Sequence, residues 1–423
     1  MANKTFADLG ARGTPAGSDL LGVYPSGGPL KQLSLTNYEV RLATMFLALD
    51  GSADMTGALF AADGTANNPS ISFTNSPTTG FYNVSSGVLG LTASGVDQAH
   101  MSSAGLNWIV APTYTNPAAA QANLGIAPTP PQGRITIQTG VPVPVTDITG
   151  ATTVYYAPFL GQQVPIYNGT SFIMTSTGGQ LSQATSDSTK SPAAVTTNSN
   201  YDLFVWSDTG TIRCTRGPAW TSATARGTGA GTTELTLLQG FYVNANAITN
   251  GPGANLGTYV GTVHSDGSSQ INDTVKLRHV WNVYNRRRRA MSLIETTDSW
   301  TYTTAPFRQA NGSTANQFDI VRGLDEDAVT ITAHAGVSSS VGTPVSTGIG
   351  VDSTTVSSAQ LMPFTQAQSA RTDTLAQYVG YPGLGRHLIQ WLELSGASGT
   401  TTWYGDNGSP GIEQSGMTGM VDA

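Results

Sequence analysis

Six carboxylates in the second half of the chain, Glu295, Asp298, Asp325, Glu326, Asp327 and Glu393, are the residues best suited to acid–base work. Cleaving a glycosidic bond takes two carboxyl groups held at a set separation across it. Nothing in the spacing of these six brings a pair together. The acidic residues between Leu324 and Ala328 read as a solvated turn.

Arg286-Arg287-Arg288-Arg289 is the one dense charge run. Guanidinium forks suit carboxylates and phosphates, so an anion site is one reading. A solvated turn with arginines paired to Asp325, Glu326 and Asp327 is the other and is preferred; the absence of further basic clusters argues against DNA. The five histidines, His100, His264, His279, His334 and His387, show no i, i+2 or i, i+4 pairing. A local metal site therefore has no support, and only one assembled from distant strands stays open. His279 and His334 fall in expected strands and read as hydrogen-bonded structural residues. Asp266 to Asp273 strings oxygen ligands together but lacks the closing Glu of a calcium loop, and reads as a polar turn. Cys214, the single cysteine, excludes an internal disulfide framework and reads as a small buried hydrophobe. Gly227 to Gly231 lacks the Lys-Ser/Thr of a phosphate loop and reads as a plain loop. No catalytic residue, metal or cofactor is indicated.

Binding chemistry is better represented. Trp206, Trp220, Trp281, Trp300, Trp391 and Trp403 all lie in the C-terminal part. Sugar CH faces stack on aromatic rings, and Trp and Tyr dominate binding hot spots. Most of these rings must be core. Trp300 with Tyr302, and Trp403 with Tyr404, are the candidates for exposed, receptor-binding aromatics.

The elements that would carry these groups are mostly short strands. Thr36 and Glu39 have capping-box spacing, and Tyr38, Leu42, Met45 and Leu49 follow at steps of 4, 3 and 4. That spacing predicts a short helix over Thr36 to Leu49 with a coiled-coil seam. Asn116 and Pro117 open a second short helix that Gly125 closes. Residues 51–112 read as thin β segments that bury little within one chain, a situation oligomerisation commonly relieves. Pro128, Pro130 and Pro131 mark a spacer over 126–133. From Arg134 onward strands and turns alternate. Asn168-Gly169 and Asp208-Thr209-Gly210 are hairpin signals, Pro165 marks an edge strand, and Leu277 to Tyr284, Thr330 to His334 and His387 to Leu394 read as strands. Only Gln366 to Tyr378 offers a helical alternative.

Composition sets the outer limits. The 423 residues are 11% charged and 39% hydrophobic, with 49 glycines and a net charge of −7. A general nucleic-acid binder is disfavoured, and no apolar run approaches the length of a membrane helix. Many short strands with closely spaced turns point to a mainly β chain with a sandwich or barrel.

Two stretches resemble pieces of bacteriophage fibre proteins. One runs from Gly51-Ser52-Ala53-Asp54-Met55-Thr56-Gly57 through Pro69-Ser70-Ile71-Ser72-Phe73 to Thr79-Gly80-Phe81-Tyr82 and Gly90-Leu91; the other is Asn116-Pro117-Ala118-Ala119-Ala120 through Leu124-Gly125. The remaining two thirds is similar to a domain of phage and prophage virion proteins, on Pro131-Gln132-Gly133-Arg134, Val164-Pro165-Ile166-Tyr167-Asn168-Gly169, Gly217-Pro218-Ala219-Trp220, Val280-Trp281-Asn282-Val283-Tyr284 and Thr297-Asp298-Ser299-Trp300. The resemblance implies a homotrimeric tail fibre, made in the bacterial cytoplasm and carried on the virion. Its partners would be itself, tail or portal-region proteins bound through the N-terminal arm, and a host surface polysaccharide or protein. It implies an elongated subunit with four parts: an anchoring arm and short helix over 1–50, a trimeric β shaft or knob over 51–125, a Pro-rich linker over 126–133, and a C-terminal β-sandwich-like domain over 134–423. A collar or head fibre shares every one of these features. A capsule-degrading tailspike is the third reading, and the lack of a long repeat period stands against it.

Overall fold

The computed structural model describes residues 20–23, 31–34, 61–109 and 127–423. The expected helices over Thr36 to Leu49, with Tyr38, Leu42, Met45 and Leu49, and over Pro117 to Leu124 lie outside the described residues. Within the described ones the protein is mainly β, with a single 3-10 turn, Ala310–Gly312, and no α-helix. No helix among these residues is long and apolar enough to cross a membrane. The first thirty residues, read from sequence as an arm without periodicity, contain one strand of a hairpin: Leu20–Val23 pairs antiparallel with Lys31–Ser34.

The chain divides into two compact units, 1–114 and 115–423. In the first, a five-stranded antiparallel meander runs Ile71–Phe73, Ser76–Ser85, Val88–Ala93, Val96–Ser102 and Gly105–Trp108, each strand beside the next. The turns are tight and Gly-rich, so register is fixed by loop geometry. Gly90 sits opposite Tyr82, and a Cβ there would meet the tyrosine ring at 2.5 Å. Only glycine lets that ring lie flat on the neighbouring strand.

The second unit stacks several sheets. An eight-stranded sheet built on Thr343–Val351, Gly385–Ser395 and Gln317–Arg322 faces a six-stranded sheet built on Val329–Ser339, Arg288–Ile294 and Gly416–Asp422. Between them lies a core that includes Phe318, Ile349, Trp391 and Trp403. The period-2 rule is visible in Val329–Ser339: Val329, Ile331, Ala333, Ala335 and Val337 are buried, while Thr330, Thr332 and His334 face away. Trp391 and Trp403 are fully buried; at ~150–250 Å² per aromatic ring, each contributes about 4–6 kcal/mol of apolar burial. A second core joins the sheet of Asn200–Asp208, Thr211–Ala219 and Thr258–His264 to the strands Gly133–Thr136, Thr153–Pro158 and Gln163–Tyr167. This layered arrangement is sandwich-like.

Several sequence expectations meet the structure directly. Asn200–Asp208 and Thr211–Ala219 form a hairpin in which Asp208 pairs with Thr211, leaving Thr209 and Gly210 as a two-residue turn with φ of 49° and 95°. Two positive φ values in succession suit a type I′ turn. Gln163–Tyr167 and Phe172–Ser176 pair across Asn168-Gly169, whose Asn168 Oδ1 accepts from the N–H groups of Thr170 and Ser171, each at 2.9 Å. Pro165 lies in this two-stranded edge ribbon. Two expectations are corrected. Gln366 to Tyr378 is no helix: it holds the end of Thr365–Ala367 and most of Thr372–Gly380, where Thr374, Ala376 and Tyr378 face the core in strict alternation. Leu277 to Tyr284 is not one strand. Leu277–Arg278 pairs parallel with Gln317–Arg322, Val280–Asn282 pairs with Thr258–His264, and His279 marks the crossing between the two sheets.

Candidate functional site

The first unit presents its apolar residues outward. Cross-strand register places Ile71, Phe81, Leu91, Ala99 and Trp108 in one row across all five strands. Leu89, Met101 and Leu106 form a parallel row on the same face, because residues two apart on a strand share a side. Ile71, Phe81, Leu89, Met101, Leu106 and Trp108 are 40–52% exposed. Over residues 61–109 only Pro69, Gly80, Tyr82, Gly90, Thr92 and Ala99 are buried. On the opposite side Thr92 Oγ1 donates to the Ala66 carbonyl at 2.8 Å, while Asn83, on the apolar face opposite Leu89, donates through Nδ2 to Asp63 at 2.7 Å. A contiguous apolar patch of this kind marks an interaction surface, and so thin a module cannot supply its own core.

In the second unit the four aromatic candidates come together. Ser299–Thr301 pairs with Thr401–Tyr404, with Trp300 directly opposite Trp403 and Ser299 opposite Tyr404. Their exposure, however, is not what the sequence suggested. Trp403 is fully buried and Trp300 is 9% exposed, because the inward positions of both strands face the sandwich core. Trp300 meets Trp391 edge-on at 6.2 Å between ring centres. Tyr302 and Tyr404 are half-buried, and each ring is capped by a guanidinium: Arg308 lies 4.0 Å from the Tyr302 centroid and Arg371 3.8 Å from that of Tyr404. The Tyr302 hydroxyl donates to the Pro306 carbonyl at 2.6 Å. Trp300 and Trp403 thus offer no open ring, and one face of each tyrosine is covered by an arginine.

Beneath this pair lies a carboxylate cluster that spacing did not reveal. Glu393, fully buried, accepts from Trp300 Nε1 at 2.6 Å, Arg308 Nε at 2.8 Å and the Asn311 backbone N–H at 3.2 Å. Glu295 accepts from Asn316 Nδ2 at 2.6 Å and Asn311 Nδ2 at 3.4 Å. Asn311 thus touches both carboxyl groups. It adopts a left-handed backbone with φ 57°, which asparagine tolerates better than most residues. Burial pushes the Glu393 carboxyl up to about 7 against the opposing pull of Trp300 and Arg308. For Glu295 burial also pushes upward, but the hydrogen bonds of Asn316, Thr297 and Asn311 outweigh it and leave the group below its usual range. Carboxyl groups pushed in opposite directions are the pattern of an acid and its counterpart. Here both oxygens of Glu393 are met by protein donors, Oε2 by Trp300 and Oε1 by Arg308 and Asn311, and the residue is closed to solvent. The cluster holds the hairpin in place.

The arginine run is consumed by pairing. Arg286 bonds Glu326 at 2.8 Å and Asp327 at 2.5 Å, Arg289 bonds Asp273 at 3.2 Å, Arg288 lies 3.7 Å from Asp422, and Arg287 stacks on Phe159. The ion-pair reading of Arg286 with Glu326 and Asp327 describes what is found; Asp325 pairs instead with Arg322. Asp266 closes a polar turn, accepting from the N–H groups of Ser268 and Gln270 and from Asn272 Nδ2. Cys214 is buried, and burial pushes its thiol up to about 12. His100, His334 and His387 each face one carboxylate, that of Asp97, Asp373 and Asp352 respectively. One group among the described residues has the composition of a metal centre: His264, His279 and Asp319.

Two features escaped the sequence. Asp202, fully buried, anchors a network in which Arg226 donates through Nε at 2.6 Å and Nη2 at 3.1 Å, with Thr233 and Thr262 hydroxyls completing the shell. An exposed apolar set also lies on the second unit, where Phe364 is 81% and Tyr381 62% exposed, and Leu361, Leu375 and Val379 are exposed as well. The Leu361-Met362-Pro363-Phe364 run was its sequence signal, obscured by the helical reading of the residues that follow.

No described protein family matches the chain, and no curated protein does. Among solved structures, infectious bursal disease virus of the Gt strain aligns at 11% identity and a TM-score of 0.21, covering 68% of this chain and 66% of that one. The Gx strain of the same virus aligns at 11% identity and a TM-score of 0.19, covering 66% and 65%. The chain thus spans about two thirds of those proteins, and likeness at this level bears on neither fold nor function.

Proposed function

We propose that this chain is a structural subunit of a phage virion, a homotrimeric fibre whose first unit self-associates and whose second unit meets the host surface. The observation that carries this reading is the outward apolar face of Ile71, Phe81, Leu89, Met101, Leu106 and Trp108, on a sheet where few of the described residues 61–109 are buried. Its occupant is the same face of further copies. Burying what remains exposed adds on the order of 1 kcal/mol per side chain and copy, and a closed assembly leaves no copy with an open patch. The number three comes from the sequence resemblance to phage fibres. Host attachment rests on the same resemblance, together with the exposed apolar side chains of Leu361, Phe364 and Tyr381 on the second unit. Three weak sites on one fibre give firm attachment through avidity.

The full chain and a Phe364→Ser/Tyr381→Ser variant are to be assayed for saturable binding to intact bacterial cells. Binding by the wild type and its loss in the folded variant support attachment. No binding by a folded, trimeric wild type favours the collar or head-fibre role. Release of new reducing ends from surface polysaccharide favours the tailspike.

A further inference from the structure

We propose that His264, His279 and Asp319 bind one divalent transition-metal ion of the zinc class, and that this ion staples two sheets of the second unit together. The three residues come from separate places in the fold. His264 ends the Thr258–His264 strand of one sheet, Asp319 lies on Gln317–Arg322 of another, and His279 sits where the chain crosses between them. All three are at least nine-tenths buried.

The geometry is close to that of a bound ion. One ligand atom from each residue lies within 4.8 Å of the other two. Three atoms so placed leave a point no farther than about 2.8 Å from each, against ~2.0–2.2 Å for zinc bonds to imidazole and carboxylate. A movement of several tenths of an ångström closes the site. His279 Nε2 and Asp319 Oδ2 are already 3.1 Å apart, and the two imidazoles meet edge-on with ring centres 4.8 Å apart.

The second observation is the state of the ring nitrogens. His264 Nδ1 lies 2.7 Å from Asn200 Oδ1. The Asn200 amide is oriented by its own Nδ2, which donates to the Ala223 carbonyl at 2.7 Å. Asn200 therefore presents an acceptor, His264 Nδ1 must carry the proton, and Nε2 keeps its lone pair. That Nε2 atom is buried and has no hydrogen-bond partner, and neither ring nitrogen of His279 has an aligned one. A buried lone pair without a donor costs free energy; a metal ion satisfies it. An oxygen acceptor on the remote nitrogen of a histidine is the usual device for orienting a metal ligand. Asp319 is held in turn by Arg386, whose Nε and Nη2 reach its carboxylate at 2.9 and 2.7 Å. That guanidinium orients the carboxylate and also opposes the ion's charge, so one site of modest affinity is expected. Two imidazoles and one carboxylate suit zinc, cobalt or nickel better than calcium or magnesium, with water completing the shell.

The test uses the full chain without a polyhistidine tag. It is equilibrated with zinc sulfate, dialysed and analysed for metal, and titrated separately with cobalt(II), whose visible absorption reports nitrogen and oxygen ligation. Expected are one zinc per chain, a saturable one-to-one cobalt spectrum, and a melting temperature that falls on chelation. His264→Gln should abolish the cobalt spectrum and Asn200→Ala should weaken zinc binding about 10–100-fold, whereas His334→Gln should change neither. Wild-type chain that shows no saturable cobalt spectrum and no zinc-dependent melting shift overturns the proposal, and that readout stands even if His264→Gln fails to fold. A folded His264→Gln variant that keeps the wild-type cobalt spectrum overturns it as well.

Discussion

The indole N–H of Trp300 donates to Oε2 of Glu393 across 2.6 Å. This bond joins a residue with the chemistry of a sugar platform to one with the chemistry of a general acid, and it occupies both. Trp300 is turned into the core and Glu393 is closed to solvent. The pair explains why neither Trp300 nor Glu393 is open to a ligand at this hairpin.

Trp403→Ala is expected to act on stability. Removing a fully buried tryptophan typically costs ~3–5 kcal/mol, which denaturant unfolding of the full chain would record. Phe364→Ser, at a site 81% exposed, should leave the midpoint unchanged. Equal effects from the two substitutions would contradict the assignment of core and surface.

Glu393 gives the second unit a defined pH response. Its carboxyl is raised from 4.5 to about 7 in the folded chain, so between those values the folded state holds a proton that the unfolded state releases. Its contribution to stability is complete below about pH 4.5 and is lost as the pH rises through 7. Glu393→Gln removes this dependence. The wild type should therefore lose stability relative to the variant between pH 5 and pH 8; a gain would contradict the account.

Asp202 is a buried charge with every partner in place. Asp202→Ala strands the Arg226 guanidinium, itself buried between Trp220 and Tyr259, and should cost ~3–5 kcal/mol. A loss below 1 kcal/mol in a denaturant titration would show that the network contributes little.

Much of the local β structure could be read from residue types. Thr209, Gly210 and Gly169 sit at turns that need a positive φ, Asn168 closes its turn through its side chain, and Thr330 to His334 alternates because one face is buried. The solvated-turn reading of the arginine run named Asp325, Glu326 and Asp327 as partners, and Arg286 pairs with the last two. What escaped was set by tertiary context. Trp300 and Trp403 share residue types with exposed binding aromatics, and only the strand parity turns them inward. Gln366 to Tyr378 carries a polar pattern that suits either period, and pairing with Val329–Ser339 decides it. His264, His279 and Asp319 converge through a sheet crossing that no spacing announces. The apolar face of the first unit was foreshadowed only as strands too thin to form a core.

The central claim is self-association through that face, and the solution mass of the full chain tests it most directly. Light scattering should give three times the chain mass for the wild type and the mass of one chain for Phe81→Asp/Met101→Asp, with the second unit's unfolding transition unchanged. A wild type of single-chain mass at micromolar concentration, or a double variant that stays trimeric, would contradict it.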